Sequence, residues 1–139
     1  MRAFVVARSR YAEDTLARAV AAGVRQYVLL GAGLDTFAYR NPFIGVRVFE
    51  VDHHSTQAWK RELLSAASIP IPEHLTFAPV DFESQSLEEG LSAARFQWDQ
   101  PAFFWLGNGL AMPLLGATSP CMCAPSGEVQ TRPVPLHRP

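Results

Sequence analysis

The sequence predicts an α/β fold in which parallel strands form one sheet with flanking helices. Short apolar runs alternate with segments of helical periodicity from residue 12 onward. The runs are almost continuously apolar, as in strands that are buried on both faces. Glycines and prolines separate the segments. Since parallel strands need long connections, helices between strands favour a parallel sheet covered by those helices.

The first predicted helix and strand come before a glycine turn. Small or apolar residues recur at helical spacing between residues 12 and 20, and Gly23 lies where this helix would end. Residues 26–30 form a short apolar run, which predicts a buried strand. Residues 31–36 then predict a turn, because they contain Gly31 and Gly33.

A second strand is predicted at residues 46–52, a largely apolar run that ends in the acidic residue Asp52. The next helix is predicted from Ser55 to Ala67, with Ser55 or Thr56 as its N-cap. Its apolar face is expected to contain Trp59, Leu63, Ala66 and Ala67.

The remaining elements are two strands and a helix between them. Residues 75–80 predict a third strand, and Pro79 suits a sheet edge or a strand end. Ser86 and Glu89 have the spacing of a capping box. The helix that follows carries an apolar stripe, and residues 102–106 form the fourth strand. The members of that stripe are Leu87, Leu91 and Ala94.

Composition excludes several classes of protein. The chain has 139 residues and a net charge of −1, so no basic excess exists to neutralise nucleic-acid phosphates. No apolar run approaches the roughly 20 residues of a membrane span. The chain has two cysteines, Cys121 and Cys123, which are too few for a metal cage. We therefore expect a cytoplasmic protein with no bound metal, and adjacent His53 and His54 are expected to point in opposite directions.

The composition changes at Gly107. The tail beyond it is rich in proline and almost free of charged residues. The predicted organisation is therefore a globular portion at residues 1–107 and a disordered, proline-rich tail at residues 108–139.

Candidate ligand-binding residues lie where the predicted strands end. Glycines let a ligand approach the backbone closely, and an acid about twenty residues further on can accept hydrogen bonds from ribose hydroxyls. An acid beside an aromatic ring suits adenine. The residues concerned are Gly31, Ala32 and Gly33 after the first strand, Glu50 and Asp52 at the second, Asp81 and Phe82 at the third, and Trp105 at the fourth.

The glycine turn departs from the dinucleotide fingerprint. That fingerprint needs a third glycine where Thr36 stands, and Asp35 would repel a pyrophosphate. The turn therefore favours a ligand that has a positive centre and no phosphate. S-adenosyl-L-methionine fits this description, and a nicotinamide dinucleotide fits less well.

Several motifs occur in an order that resembles one family. They are Arg8-Ser9-Arg10-Tyr11-Ala12-Glu13-Asp14, Val24-Arg25-Gln26, Leu30-Gly31-Ala32-Gly33-Leu34-Asp35-Thr36, Tyr39-Arg40, Glu50-Val51-Asp52, Trp59-Lys60, Val80-Asp81-Phe82 and Phe103-Phe104-Trp105-Leu106-Gly107. Over roughly residues 2–107 the chain resembles the leucine carboxyl methyltransferase-like family of class I S-adenosylmethionine-dependent methyltransferases, in particular its bacterial branch. The resemblance implies a partial Rossmann-like sheet.

The resemblance also implies roles for the candidate residues toward S-adenosyl-L-methionine. Arg8 would pair with the cofactor's carboxylate, although Arg10 is an equally reachable guanidinium. Asp52 would hold the ribose, with Glu50 as the weaker candidate. The remaining implied roles are methionine binding by Gly31, Ala32 and Gly33, adenine binding by Asp81 and Phe82, and a border of the site at Trp105.

The implied reaction is methyl transfer to an oxygen, a carboxylate or hydroxyl of a small molecule. The resemblance implies no general base at a definite position, and a carboxylate acceptor needs none. The family has residues before the first helix and after Gly107 that this chain does not match. We therefore expect a truncated or frame-shifted member of the family. The alternatives are a non-catalytic remnant that binds cofactor weakly or not at all, and a nicotinamide-dinucleotide-binding domain.

Overall fold

The computed structural model describes the backbone of residues 2–107 and the side chains of residues 9–107. The elements follow the predicted alternation of helix and strand. They are α1 (Arg2–Ala21), β1 (Gln26–Leu30), the short 3₁₀ helix η1 (Phe37–Tyr39), β2 (Arg47–Asp52), α2 (His54–Ala66), β3 (Leu75–Pro79), α3 (Leu87–Ala93) and β4 (Ala102–Leu106).

The four strands form one parallel sheet, as predicted, in the order β3-β2-β1-β4. In its register Val28 of β1 lies between Phe49 of β2 and Phe104 of β4. The chain builds outward from β1 to β3 and then returns to the other side of β1. The strand order therefore reverses between β1 and β4. In open α/β sheets, ligands bind in the crevice at the carboxyl ends of the two strands between which the order reverses.

Helices cover both faces of the sheet, and each face has its own core. On one face, Leu16 and Ala19 of α1 and Phe37 of η1 pack with Tyr27, Val48 and other strand residues. On the other face, Leu91 of α3 packs with strand residues that include Val28, Phe49 and Val51. Because the inner strands are apolar on both faces, they hold helices on both sides.

The predicted bounds of the strands are confirmed to within one residue, whereas α1 begins ten residues before the predicted periodicity. Strands β1 and β4 have the predicted bounds, β2 begins one residue later and β3 ends one residue earlier. Helix α1 ends just before Gly23, whose φ of 102° lies in the left-handed region. The Val24 N–H donates to the carbonyl of Ala19 at 3.0 Å, which is the backbone bond of a Schellman motif. Pro79 is the last residue of β3, an edge strand of the described sheet.

Helix α2 differs from its prediction in both its cap and its buried face. The N-cap is His53, whose imidazole accepts from the Ser55 N–H at 3.3 Å, and neither Ser55 nor Thr56 caps the helix. The predicted apolar face is wrong, because its members Trp59, Leu63, Ala66 and Ala67 are exposed. The polar side chains of Gln57 and Lys60 are buried instead. Gln57 donates to the carbonyl oxygen of Glu50 on β2, and Lys60 donates to the carbonyl oxygen of Asp35.

Helix α3 begins with the predicted capping box. The Ser86 hydroxyl accepts from the Glu89 N–H at 3.1 Å, and the Glu89 carboxylate accepts from the Ser86 N–H at 2.8 Å. Leu91 is fully buried, and Leu87 and Ala94 pack against the same core. The prediction for this helix is confirmed in both its start and its apolar stripe.

We expect Gly90→Ala to destabilise the fold, although alanine normally stabilises a helix by about 0.5–1 kcal/mol relative to glycine. A Cβ at Gly90 would lie 2.1 Å from Cγ2 of Val80, a side chain with 1% exposure. Overpacking of this kind costs typically about 1–3 kcal/mol and so outweighs the helix propensity. Urea unfolding checks the sign. The exposed Ala93→Gly variant on the same helix should show the ordinary cost of glycine, and a more stable Gly90→Ala chain would contradict the tight contact.

The predicted tail at residues 108–139 lies outside the described residues. No helix within residues 2–107 is both long and apolar enough to cross a membrane.

Candidate functional site

The loop after β1 turns back over the end of β2. Gly31 and Gly33 have φ values of 64° and 48°, in the left-handed region that glycine adopts without steric cost. The Gly31 N–H donates to the carbonyl of Val51 at 2.8 Å, and the Ala32 N–H approaches the same oxygen at 3.3 Å. The loop is therefore anchored to β2 at the carboxyl edge of the sheet.

Asp52 connects this loop to the start of α2. One carboxylate oxygen, Oδ2, accepts from the Gly33 N–H at 2.7 Å, and Oδ1 accepts from the His53 N–H at 2.7 Å. Asp52 as a whole is half-buried. Asp52 thus lies beside the glycine loop at the carboxyl edge of the sheet.

Glu50 occupies a different position from the one expected at a ligand-binding edge. It is only 1% exposed, and its Oε2 accepts from Nζ of Lys60 at 2.7 Å. Burial raises the pKa of Glu50, and the adjacent ammonium of Lys60 opposes that rise. The remaining oxygen, Oε1, is buried and has no hydrogen-bond partner among the described residues. Glu50 thus lies inside the protein under α2.

Two side chains of α2 connect the helix to β2 and to the glycine loop. Lys60 Nζ donates both to Glu50 and to the carbonyl oxygen of Asp35, each at 2.7 Å. The Gln57 side-chain amide donates to the carbonyl of Glu50 at 2.9 Å. Asp52 and Lys60 therefore hold the loop at two separate points.

The predicted adenine-binding pair lies just beyond β3. The Asp81 carboxylate accepts from the Glu83 N–H at 3.0 Å. This bond, together with the Ser84 hydroxyl, holds the pKa of Asp81 below its ordinary value. The ring of Phe82 is 59% exposed and is therefore accessible to a ligand.

A small cleft lies between α1 and the carboxyl ends of β1 and β4, at the point where the strand order reverses. Its walls come from α1, β1, the glycine loop, η1 and β4. The lining residues are Ser9, Ala12, Glu13, Tyr27, Asp35, Phe37, Trp105 and Gly107. Gly107 approaches the loop so closely that a Cβ there would lie 2.6 Å from the carbonyl oxygen of Gly31. This close approach brings the end of β4, with Trp105, next to the glycine loop.

The structure thus brings the glycine loop, Asp52 and Trp105 to one edge of the sheet and places Glu50 in the interior. Arg8 lies on α1, and its side chain lies outside the described part of the chain. The sequence patterns did not indicate that Lys60 and Gln57 are buried, or that Glu13 and Tyr27 line the cleft. The three-residue spacing of Gln57 and Lys60 could have indicated that they share a position in the structure, because it places both polar groups on one face of the helix.

The expected opposite orientation of the two adjacent histidines is wrong. Their ring centroids lie 4.1 Å apart, because His53 caps α2 and His54 is its first residue. Among the described side chains, no group of three or more histidine, cysteine, aspartate or glutamate residues is arranged to hold a metal ion.

The relatives of this chain are methyltransferases by name. It is 41% identical over 104 residues to YktD of Bacillus subtilis (strain 168), a match that covers 73% of this chain and 34% of the relative. A protein of Parafrankia sp. (strain EAN1pec) is 36% identical over 82% of this chain and 36% of its own length. Both names give the protein, provisionally, as an S-adenosyl-L-methionine-dependent methyltransferase.

A relative from Mycolicibacterium smegmatis (strain ATCC 700084 / mc(2)155), similarly named, is 35% identical over 96% of this chain and 48% of its own length. The chain therefore spans between about a third and a half of the length of these relatives. The family model described as leucine carboxyl methyltransferase matches residues 1–117, ten residues beyond the composition change at Gly107. With that match over most of its length, and with the parallel sheet and glycine loop in place, the chain belongs to the leucine carboxyl methyltransferase family.

Proposed function

We propose that this chain binds S-adenosyl-L-methionine and forms the cofactor-binding part of a methyltransferase. The observation that carries the proposal is the contact between Asp52 and Gly33, which places a carboxylate next to a left-handed glycine loop at the carboxyl edge of the sheet. Family membership and the names of the relatives support the choice of cofactor.

The residues at this edge fit the parts of the cofactor. The glycine loop, Gly31 to Gly33, offers backbone groups to the methionine arm, and the half-buried Asp52 offers acceptor oxygens to the ribose hydroxyls. The burial of Glu50 in an ion pair favours Asp52 over Glu50 for the ribose. The exposed Phe82 ring and the adjacent Asp81 suit adenine.

Two further residues complete the proposed site. Trp105 lines the cleft beside the loop and would border the methionine arm. Arg8 lies on α1 and would pair with the cofactor's carboxylate, with Arg10 as the alternative guanidinium.

We propose an oxygen acceptor, a carboxylate or hydroxyl of a small molecule. The bound cofactor supplies an activated methyl group, so a carboxylate acceptor requires alignment and no general base. The net charge of −1 supports an acceptor other than nucleic acid. A cytoplasmic location remains our expectation.

Isothermal titration calorimetry of the purified chain with S-adenosylmethionine, with its demethylated product and with NAD tests this function. We expect binding of the first two and no binding of NAD, because Asp35 and Thr36 do not suit a pyrophosphate. A preference for NAD would contradict the proposal. An absence of heat with all three ligands would instead support a remnant that has lost cofactor binding.

A further inference from the structure

Lys60 carries a buried ammonium that the proposed cofactor site does not use. The side chain extends from α2, and Nζ donates to Oε2 of Glu50 and to the carbonyl oxygen of Asp35, each at 2.7 Å. The aromatic ring of Tyr39 on η1 faces the same ammonium, with Nζ 5.4 Å from the ring centroid. Lys60 therefore connects α2 with three parts of the chain, namely β2, the loop after β1, and η1.

Asp35 closes a tight turn that contains the second glycine of the loop. Its N–H donates to the carbonyl oxygen of Ala32 at 2.8 Å, which is the hydrogen bond of a β-turn. Asp52 holds the middle of this turn, because its Oδ2 accepts from the Gly33 N–H at 2.7 Å. The turn is thus held at Gly33 by a side chain of β2 and at Asp35 by a side chain of α2.

The contact with α2 restrains the Asp35 end of the turn. Without Lys60 this end would be free to move, whereas Gly33 would stay attached to β2. The backbone of this loop is the part proposed to contact the cofactor, so a change in its shape redirects the groups that it offers to the ligand. Hydrogen bonds weaken steeply with distance and angle, and a misplacement of roughly 1 Å is enough to impair a binding site.

We propose that Lys60 is a positioning residue, which holds the glycine loop in the shape that binds the cofactor without contacting the cofactor itself. The inference rests on the proposed function and goes beyond it by assigning a role in binding to a buried residue of α2. Glu50 supplies the opposite charge that keeps the ammonium inside the protein, and the bond to Asp35 carries the effect to the loop. Stability and affinity therefore depend on different contacts of one side chain.

Three variants separate the bond to the loop from the ion pair. Glu50→Gln breaks the ion pair but keeps an acceptor for Lys60, so the bond to Asp35 is retained. Lys60→Met removes both contacts. The double variant Lys60→Met with Glu50→Leu lacks the bond to Asp35 and leaves no buried charge unpaired. Arg61→Met, which removes an exposed cation from the same helix, is the matched control. Calorimetry gives the dissociation constants of S-adenosylmethionine and S-adenosylhomocysteine under conditions where circular dichroism shows each variant to be folded.

We expect Lys60→Met and the double variant to bind both ligands about tenfold more weakly, the usual effect of losing one hydrogen bond to a charged group, and Glu50→Gln and Arg61→Met to stay within about threefold of wild type. Weak binding by the double variant, whose stability is restored, identifies positioning. If a single variant does not fold, the double variant alone decides.

Two results would overturn the inference and leave the proposed function in place. One is a double variant that binds like wild type, and the other is an equal loss of affinity in Glu50→Gln and Lys60→Met, which would show that Lys60 acts only through stability. A wild-type chain that binds neither ligand overturns the proposed function as well.

Discussion

Replacement of Lys60 with methionine is expected to lower the free energy of unfolding by about 3–5 kcal/mol at neutral pH, the usual cost of leaving one partner of a buried ion pair alone. Lys60 is 4% exposed and Glu50 is 1% exposed, so water cannot replace the lost ammonium. Such a loss is a large part of a typical domain's stability of about 5–15 kcal/mol. Chemical denaturation at pH 7 measures it.

The pH dependence of this loss identifies its cause. Burial raises the pKa of Glu50 above its ordinary value of 4.5, and Lys60 opposes the rise. Without Lys60, the pKa of Glu50 in the folded protein rises further. The stability that depends on a neutral Glu50 is then present in acid and is lost as the pH rises through this raised pKa. The difference in stability between wild type and Lys60→Met should therefore grow from acid to neutral pH. A difference that does not change with pH would contradict a charge effect.

Two further variants complete this experiment. Arg61→Met removes an exposed cation from the same helix and should cost no more than about 1 kcal/mol, because its guanidinium contacts only the face of Phe77 among the described side chains, at 4.4 Å from the ring centroid. The double variant Lys60→Met with Glu50→Leu removes both charges, and it should recover most of the lost stability, because apolar replacements of buried ion pairs are often neutral. It would not restore the bond to the carbonyl of Asp35, so the glycine loop should exchange its amide hydrogens faster than in wild type.

Replacement of Asp52 with alanine is expected to weaken S-adenosylmethionine binding at least about tenfold, since each hydrogen bond to a charged acceptor is worth about 1.5–3 kcal/mol. The variant removes the acceptor of the Gly33 and His53 N–H groups as well as the proposed ribose ligand. Titration calorimetry measures the affinity, and hydrogen exchange at Gly33 reports the state of the loop.

The exposed Asp99→Ala variant is the matched control and should bind like wild type. If Gly33 keeps its protection while binding is lost, Asp52 acts on the ligand directly. If both are lost, Asp52 acts at least partly by holding the loop. Unchanged affinity in Asp52→Ala would contradict its place in the site.

Local sequence patterns were sufficient to predict most of the fold. Apolar runs bounded by glycine and proline predicted β1 and β4 at their observed bounds, and Ser86 with Glu89 predicted the start of α3. These features depend on contacts within a few residues, so the sequence nearby contains the necessary information. The convergence of the glycine loop and Asp52 was also predictable, because parallel strands place their carboxyl ends at one edge.

The buried face of α2 and the position of Glu50 were not predictable in this way. Periodicity assigned the interior to Trp59 and Leu63, yet Gln57 and Lys60 are buried because Glu50 and two backbone carbonyls lie beneath them. Those partners lie on β2 and in the glycine loop, 7 to 25 residues before the side chains they bind, so the periodicity within α2 does not contain them.

The sequence by itself thus determined the α/β class, the order of the elements and the edge of the sheet at which the glycine loop and Asp52 lie. Only the tertiary structure decided which carboxylates are accessible there. Glu50 and Asp52 lie two residues apart on the same strand. Helix α2 covers Glu50, whereas Asp52 is only half-buried. The cleft of Glu13, Tyr27 and Asp35 likewise exists only because α1, β1 and the loop after it meet in space. Burial and charge pairing depend on which elements pack together, and packing joins residues that are distant in sequence.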